Sequence, residues 1–368
     1  MCFFLGCVIL AINISQSKGY SLMSRSSAFF INGGAGRVIC SIPAFEKYEQ
    51  EHPEDDFIIV CEGGMDFFKG HPTLHNRAYD VGHKGLFEQF IQERDCITPE
   101  PYRLWEYYNQ KCSLTQAFDI IINNAGVRDL PSPKIYINKM EMVQGANVVE
   151  EIKKVTGFDK VIVIQPFGRS VEKVGDFIID GSSRSFQLNN VTELIDILKK
   201  EYGIIVMSEI PLQLSDTDGG KYPVAQPQIP NLRGWAGVIQ VADHFLGCDS
   251  VGQHIVKGLG KTATVITGST YPINISYPND PDFDIIDVGA GKRVYSPIRV
   301  AMDEERDRLN DEAMEMNEKQ INEVLESIRK RLGKSKRSMS TPAPTQSNTG
   351  KPSLVPGTSP LPTYNTGK

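Results

Sequence analysis

Leu246-Gly247-Cys248-Asp249-Ser250-Val251-Gly252-Gln253-His254, then Gly258-Leu259-Gly260-Lys261, then Val265-Ile266-Thr267-Gly268-Ser269-Thr270-Tyr271-Pro272, is the stretch that decides how this chain folds. Its first block is an apolar strand that runs into small and acidic residues and opens a helix. The middle block is the glycine-rich exit of that helix, and the last is a second strand closing on Gly-Ser-Thr. Strand, turn, helix and strand in this order form the repeating unit of a parallel sheet. The turn also aims unpaired backbone N–H groups and the positive end of the helix dipole at one point, which suits a phosphate. Asp249 at the strand end and Ser250 at the N-cap add polar side chains there. The same two residues would serve equally well as ordinary helix caps, and the local pattern does not separate the two readings.

The alternation extends on both sides of this stretch. Lys160-Val161-Ile162-Val163-Ile164-Gln165-Pro166 reads as a buried strand, followed by a helix over 191–202, a strand over 204–207 and a helix over 232–242. The strand over 244–248, the helix over 251–259 and the strand over 262–267 complete that series. Nearer the N-terminus, an apolar run over 27–32 enters Gly33-Gly34-Ala35-Gly36 and a helix over 38–50. A second strand over 57–61 is closed by Glu62-Gly63-Gly64. Helical patterns follow around 85–94, 102–108 and 114–121, then a strand over 134–137 and a helix over 140–156. Two such series, meeting near residue 157, predict an α/β protein of two Rossmann-like domains, residues 23–157 and 158–300. The ligand is expected in the cleft between them, at the carboxyl ends of the strands.

Composition narrows the class. The chain has 368 residues, 40% apolar and 23% charged, enough for two domains of ordinary size. A net charge of -6 leaves no basic excess to neutralise phosphates, so nucleic-acid binding is not expected as the main activity. Seven cysteines without a Cys-x-x-Cys pair suggest a reducing compartment and neither a disulfide nor a zinc framework.

The two ends of the chain differ from its body. Residues 1–22 carry an apolar run of about a dozen residues, too short to span a bilayer. It lacks a basic n-region and a small-residue cleavage site, so an upstream start codon ahead of Met23 is favoured over a signal peptide or anchor. Residues 301–333 read as a charged amphipathic helix, with Ile321, Val324, Leu325, Ile328 and Leu332 in one stripe. Packing of that stripe on the body is favoured, and weak self-association through 302–332 is the alternative. Residues 334–368 are polar and rich in Ser, Thr, Pro and Gly, which predicts a disordered tail.

The opening stretch resembles the donor-site signature of the ADP-heptose:lipopolysaccharide heptosyltransferases, glycosyltransferase family 9. Asp249, Ser250 and His254 match that signature in order and spacing, as do Gly268, Thr270 and Pro272 at the second strand. Val251 stands where the family has glycine and Ser269 where it has proline, and Gly252 next to Val251 could take over the missing glycine's role. The likeness extends over most of residues 26–280. Ala35-Gly36-Arg37-Val38-Ile39-Cys40-Ser41-Ile42-Pro43-Ala44-Phe45 is similar to the family's opening turn and helix. Gln165-Pro166-Phe167-Gly168-Arg169-Ser170 is similar to its inter-domain loop, and the run over 232–242 to the helix before the donor turn.

The resemblance implies a GT-B fold and transfer of a sugar, heptose-like or other, from a nucleotide-diphosphate sugar to a glycan or other hydroxyl acceptor such as a lipopolysaccharide. Arg37, Arg169, Asp249, Ser250, Gly252 and His254 are the donor-binding candidates. Arg169 and the helix at Ser250 would neutralise the leaving diphosphate, and Asp249 would accept hydrogen bonds from sugar hydroxyls. One departure touches the chemistry: the family's catalytic aspartate falls on Arg37, and a guanidinium cannot act as a general base. Either Arg37 binds an anion with the Gly33–Gly36 amides or it points into solvent. Glu62 and Asp66, after the second strand, are the candidate bases, with Glu62 nearer the strand end. A catalytically silent binder of nucleotide sugars or glycans is the second reading, and a sugar-nucleotide epimerase a third. His71 and His75 are four apart, but Pro72 between them argues against a metal pair, and no other metal or cofactor site is expected. The expected location is the cytoplasm, with peripheral contact to the inner face of a membrane as an option.

Overall fold

The computed structural model describes residues 26–169, 171–174, 177–214, 218–293 and 311–338. The segment 1–22 and the tail from 339 onward, on both of which expectations were placed, lie outside the described residues.

The first unit opens with β1 (Ser26–Ile31), α1 (Ala35–Glu51) and β2 (Asp56–Cys61). Two short strands follow, β3 (Ala78–Asp80) and β4 (Asp95–Ile97), then a single turn, α2 (Trp105–Tyr108), and α3 (Leu114–Asn123). The strands form a parallel sheet in the order β3-β2-β1-β4. One face of this sheet is closed by the rings of Phe29, Phe45, Tyr48 and Phe57, mostly edge to face at 5.1–6.2 Å. The helix expected over 85–94 is only one π-helical turn, Phe87–Ile91, none of whose own residues is buried.

The second unit contains α4 (Lys139–Thr156), β5 (Val161–Gln165), an antiparallel hairpin of β6 (Val171–Val174) and β7 (Phe177–Asp180), and α5 (Leu188–Leu198). It continues with β8 (Gly203–Val206), β9 (Val224–Ala225), α6 (Leu232–Val241), β10 (His244–Cys248) and α7 (Val251–Gly258). β11 (Ala263–Thr267), the one-turn α8 (Pro272–Ile275), β12 (Phe283–Asp287) and α9 (Glu318–Leu332) complete it. Apart from the hairpin, its strands form one parallel six-stranded sheet in the order β12-β11-β10-β5-β8-β9.

Three expectations about organisation shift. The strand expected over 134–137 is an extended linker, tied to the second unit by the Ile135 N–H donating to the Gly258 carbonyl at 2.9 Å. Helix α4 packs on α6, so by contact the crossing between units falls before Lys139 rather than at residue 157. That helix pair meets backbone to backbone: a Cβ on Gly145 would come within 2.2 Å of the Gly237 carbonyl oxygen. A part-buried ion pair of Arg233 with Glu141, 2.6 Å, closes the same crossing. Of the amphipathic helix expected over 301–333, residues 301–310 lie outside the described residues, and α9 begins at Glu318 because Asn317 caps it and exchanges backbone bonds with Gln320.

The apolar stripe of α9 is spent inside the chain. Ile321, Val324, Leu325 and Ile328 are buried with Leu194, Leu198, Tyr202, Leu246 and Ile266. This is the packing role favoured from sequence, and it leaves that stripe unavailable for self-association. The first residues of the expected tail are also ordered: the Ser338 N–H donates to the Gly157 carbonyl at 2.9 Å, and the Asp159 N–H to the Lys336 carbonyl at 3.1 Å. Among the described residues no helix is long and apolar enough to cross a membrane.

Candidate active-site cleft

The two units meet where β1 and β5 end. β1 runs out, through Asn32, into Gly33-Gly34, and Arg169, on the loop after β5, reaches across to that turn. The Arg169 Nη1 lies 3.3 Å from where a Cβ on Gly34 would sit. The loop after β2 locks onto the same place, since a Cβ on Gly64 would fall 2.5 Å from the Ala35 Cα. In that loop the Gly33 N–H donates to Glu62 Oε2 at 2.6 Å. The carboxylate of Glu62 therefore sits just past the carboxyl end of β2, on the glycine turn whose next residue, Gly34, Arg169 approaches. Asp66, the other candidate base, lies in a 3₁₀ turn, half-exposed and ion-paired with Lys69. That is a surface role.

Neither expectation for Arg37 holds in full. Its guanidinium lies over the rings of Tyr102 (5.2 Å) and Phe118 (5.8 Å), donates to the Pro99 carbonyl at 3.1 Å, and faces Glu100 at 3.7 Å. It does not point into solvent, and its charge is already partly answered by Glu100. Those partners also offset the unfavourable placing of a cation at the positive end of a helix dipole.

The donor turn is built as the sequence implies but used differently. Ser250 occupies the N-cap position of α7, yet its hydroxyl caps no backbone group. The cap comes from β5: the Gly252 N–H donates to Gln165 Oε1 at 2.9 Å, while Gln165 Nε2 donates to Ser250 Oγ at 3.3 Å. Gly252 is buried under Gln165 and the Phe245 ring, so its glycine answers packing, and its amide is not offered to a ligand. Asp249 is 1% exposed, and its carboxylate accepts from Gln253 Nε2 and Thr270 Oγ1, each at 2.8 Å. Burial raises its carboxyl above the ordinary range, although the Arg184 charge and those two donors pull the other way. Asp249 is thus an internal acid that ties the ends of β10 and β11 together, not a group held open for sugar hydroxyls.

His254 is a contact between the units. It is buried, with Nδ1 2.8 Å from the Tyr277 hydroxyl and 3.4 Å from Cys40 Sγ on α1. Burial drives its pKa down to about 3, and the nearby Arg184 adds to that, so the ring is neutral near pH 7. The same environment pushes the Cys40 thiol up to about 12, chiefly by burial. Among the described residues no group of three His, Cys, Asp or Glu side chains could hold a metal ion. His71 turns instead toward Glu46, 3.2 Å away.

Sequence reasoning passed over the segment Asp180-Gly181-Ser182-Ser183-Arg184-Ser185, which follows β7. Its Arg184 lies between the units, largely buried, with Nη1 3.9 Å from Asp249 Oδ2 and within electrostatic reach of Tyr102 from the first unit. The available signal was a hairpin leading into Asp-Gly and a run of small polar residues around one arginine. Without a pattern to match, it reads as loop.

Taken together, fold and cleft define a two-domain α/β protein of the GT-B arrangement, with Glu62 and Arg169 on the loops that follow β2 and β5. No protein-family model matches the sequence, and no curated protein matches it either. Solved structures do match. A crystal structure of a glycosyl transferase family 9 protein from Veillonella parvula DSM 2008 is 12% identical, with a TM-score of 0.55, covering 84% of this chain and 99% of that one. TibC from enterotoxigenic E. coli H10407, an iron-containing dodecameric glycosyltransferase, is 11% identical with a TM-score of 0.51 over 84% of this chain and 77% of its own. At these identities the likeness establishes the fold: two Rossmann-like domains facing across a cleft, as read from the sequence.

Proposed function

We propose that this chain is a glycosyltransferase-like protein that holds a nucleotide-diphosphate sugar in the cleft and passes the sugar to a hydroxyl of a glycan-type acceptor. The observation that carries the reading is Arg169 of the second unit against Gly34 of the glycine turn, whose Gly33 N–H is held by Glu62, with Arg184 of the second unit beside Asp249 and within electrostatic reach of Tyr102 of the first. Two guanidinium groups beside a strand-end cleft suit a diphosphate, which they recognise by paired, charge-assisted hydrogen bonds. The fold shared with glycosyltransferase structures supports the same assignment.

In this reading Glu62 takes the proton of the acceptor hydroxyl as its oxygen attacks the anomeric carbon. The bond from that carbon to the diphosphate oxygen breaks, and the leaving charge falls on the diphosphate beside Arg184 and Arg169. The acceptor rests on the first unit, near Glu62 and the ring of Tyr102. A second reading, a silent binder of the same ligand class, is favoured by one observation: Arg37 fills the place of the family acid and is packed there by Glu100, Tyr102 and Phe118.

A thermal-shift screen of nucleotide sugars, followed by nucleotide-release assays with and without glycan acceptors, tests both. Stabilisation together with release that depends on acceptor and is lost in Glu62→Gln supports the transferase. Stabilisation without turnover supports the binder. No stabilisation by any nucleotide or nucleotide sugar overturns both.

A further inference from the structure

Asp180, at the end of the β6–β7 hairpin, is buried and accepts five hydrogen bonds. Oδ1 takes the Ser182 N–H at 2.8 Å and the Ser182 hydroxyl at 2.5 Å. Oδ2 takes the Arg184 N–H at 3.1 Å, the Ser185 N–H at 2.8 Å and the Ser185 hydroxyl at 2.5 Å. Both serine hydroxyls then pass the constraint outward. Ser182 Oγ accepts from Arg184 Nε at 3.0 Å, which fixes the plane of that guanidinium. Ser185 Oγ accepts from the Gly168 N–H at 2.9 Å, which fixes the loop that carries Arg169. A third link runs from the Ser182 carbonyl, which accepts the Ser269 hydroxyl at 2.9 Å and so joins the cradle to the loop after β11. Burial alone would raise the Asp180 carboxyl, but the serine hydroxyls and amides outweigh it and hold it ionised below the usual carboxylate range.

We infer that Asp180 is a positioning residue: this one buried carboxylate sets the places of both Arg184 and Arg169, through Ser182 and Ser185, and so builds the anion-binding side of the cleft. The inference rests on the nucleotide-diphosphate reading above. Fixing the Arg184 guanidinium and the backbone that carries Arg169 before the ligand arrives matters because a free cation loses conformational freedom on binding, and a preset one loses less.

The test uses the full chain. Calorimetric titration with ADP, GDP, UDP, CDP and inorganic pyrophosphate, at several salt concentrations, is run on the parent, Asp180→Asn, Arg169→Ala/Arg184→Ala and the triple variant. Circular dichroism and melting temperature follow the fold of each. Asp180→Asn is expected to weaken diphosphate binding at least tenfold and to flatten its salt dependence. It is expected to add nothing in the background lacking both arginines. A purely structural role would instead cost affinity equally in both backgrounds, and that outcome, or undiminished affinity in Asp180→Asn, overturns the inference. Binding of a diphosphate by the parent separately decides the cleft reading; if none binds, both fall. Should Asp180→Asn fail to fold, Ser182→Ala and Ser185→Ala cut the two links one at a time. Each is then expected to give part of the loss, and no loss in either overturns the inference.

Discussion

The side-chain carbonyl of Gln165 accepts the backbone N–H of Gly252 at 2.9 Å, so the first turn of α7 is capped from the neighbouring strand and not by its own N-cap residue. The contact leaves no room for a side chain. A Cβ on Gly252 would lie 2.2 Å from Gln165 Oε1 and 2.4 Å from the Phe245 ring, both buried. Gly252→Ala is therefore expected to cost about 1–3 kcal/mol, the usual range for overpacking a core. Urea unfolding measures it. Adding Gln165→Ala should recover part of the loss, because the two changes share one contact. An unchanged midpoint in Gly252→Ala would refute this account of the turn.

Asp249 is expected to act on stability before it acts on ligand. Removing its carboxylate leaves Gln253 and Thr270 without these acceptors and Arg184 with Asp180 as its neighbouring acid. Asp249→Ala should lose about 3 kcal/mol, as when one partner of a buried polar cluster is removed. Asp249→Asn, which keeps the shape, should lose less. A fully stable Asp249→Ala protein that no longer binds nucleotide sugar would return Asp249 to the role of ligand contact.

Much of this fold is written in period and punctuation. The continuous apolar runs at 161–165, 203–206, 244–248 and 263–267 are strands buried on both faces, and each is a strand in the structure. The strand over 134–137 was misread because Ile135 and Ile137 are apolar for another reason: Ile135 is buried against the end of α7 while the backbone there makes no ladder. The site was legible at its strand ends only. Glu62 and Arg169 follow strands and could be placed by that fact, whereas Arg184 depends on a hairpin insertion and on Asp180, whose partners are set by tertiary folding. Likewise, nothing in the sequence says that the Ser250 cap is supplied by Gln165, 85 residues away.

Two buried imidazoles make stability depend on pH. His254, and His244 between the hydroxyls of Thr262 and Thr264, both have pKa values lowered to about 3, mainly by burial. In the unfolded chain each takes a proton near pH 6.5, whereas the folded chain refuses it until about pH 3. The unfolded state therefore binds more protons across that window, and stability falls as pH drops from about 6.5 toward 3. Each ring contributes up to about 1.4 kcal/mol per pH unit. Urea midpoints from pH 7 to pH 5 should decline, and His254→Gln should decline less steeply whatever its absolute stability. Equal slopes in the two proteins would mean that His254 is protonated in the fold.

The last described residues of the chain hold its second unit. Ser335 Oγ donates to Asp159 Oδ1 at 2.7 Å, and the Lys336 N–H donates to the same oxygen at 2.7 Å. The Arg337 guanidinium lies over the rings of Phe158 (5.3 Å) and Tyr222 (4.7 Å). Asp159 and Phe158 sit on the turn between α4 and β5, and Tyr222 just before β9, so these contacts tie the end of α9 to the start of β5 and to the loop before β9. Read from composition, everything after Gly333 would be dispensable; read from these contacts, 334–338 is not. Truncation after Gly333 is expected to lower the melting temperature by a few degrees, since hydrogen bonds and a cation–π contact are lost together. Truncation after Ser338 keeps all of them and removes only a polar, Pro- and Gly-rich sequence with little apolar surface to bury. It should melt with the parent. If both truncations melt with the parent, the contacts of 334–338 contribute nothing measurable; if both fall equally, the stabilising segment lies beyond Ser338.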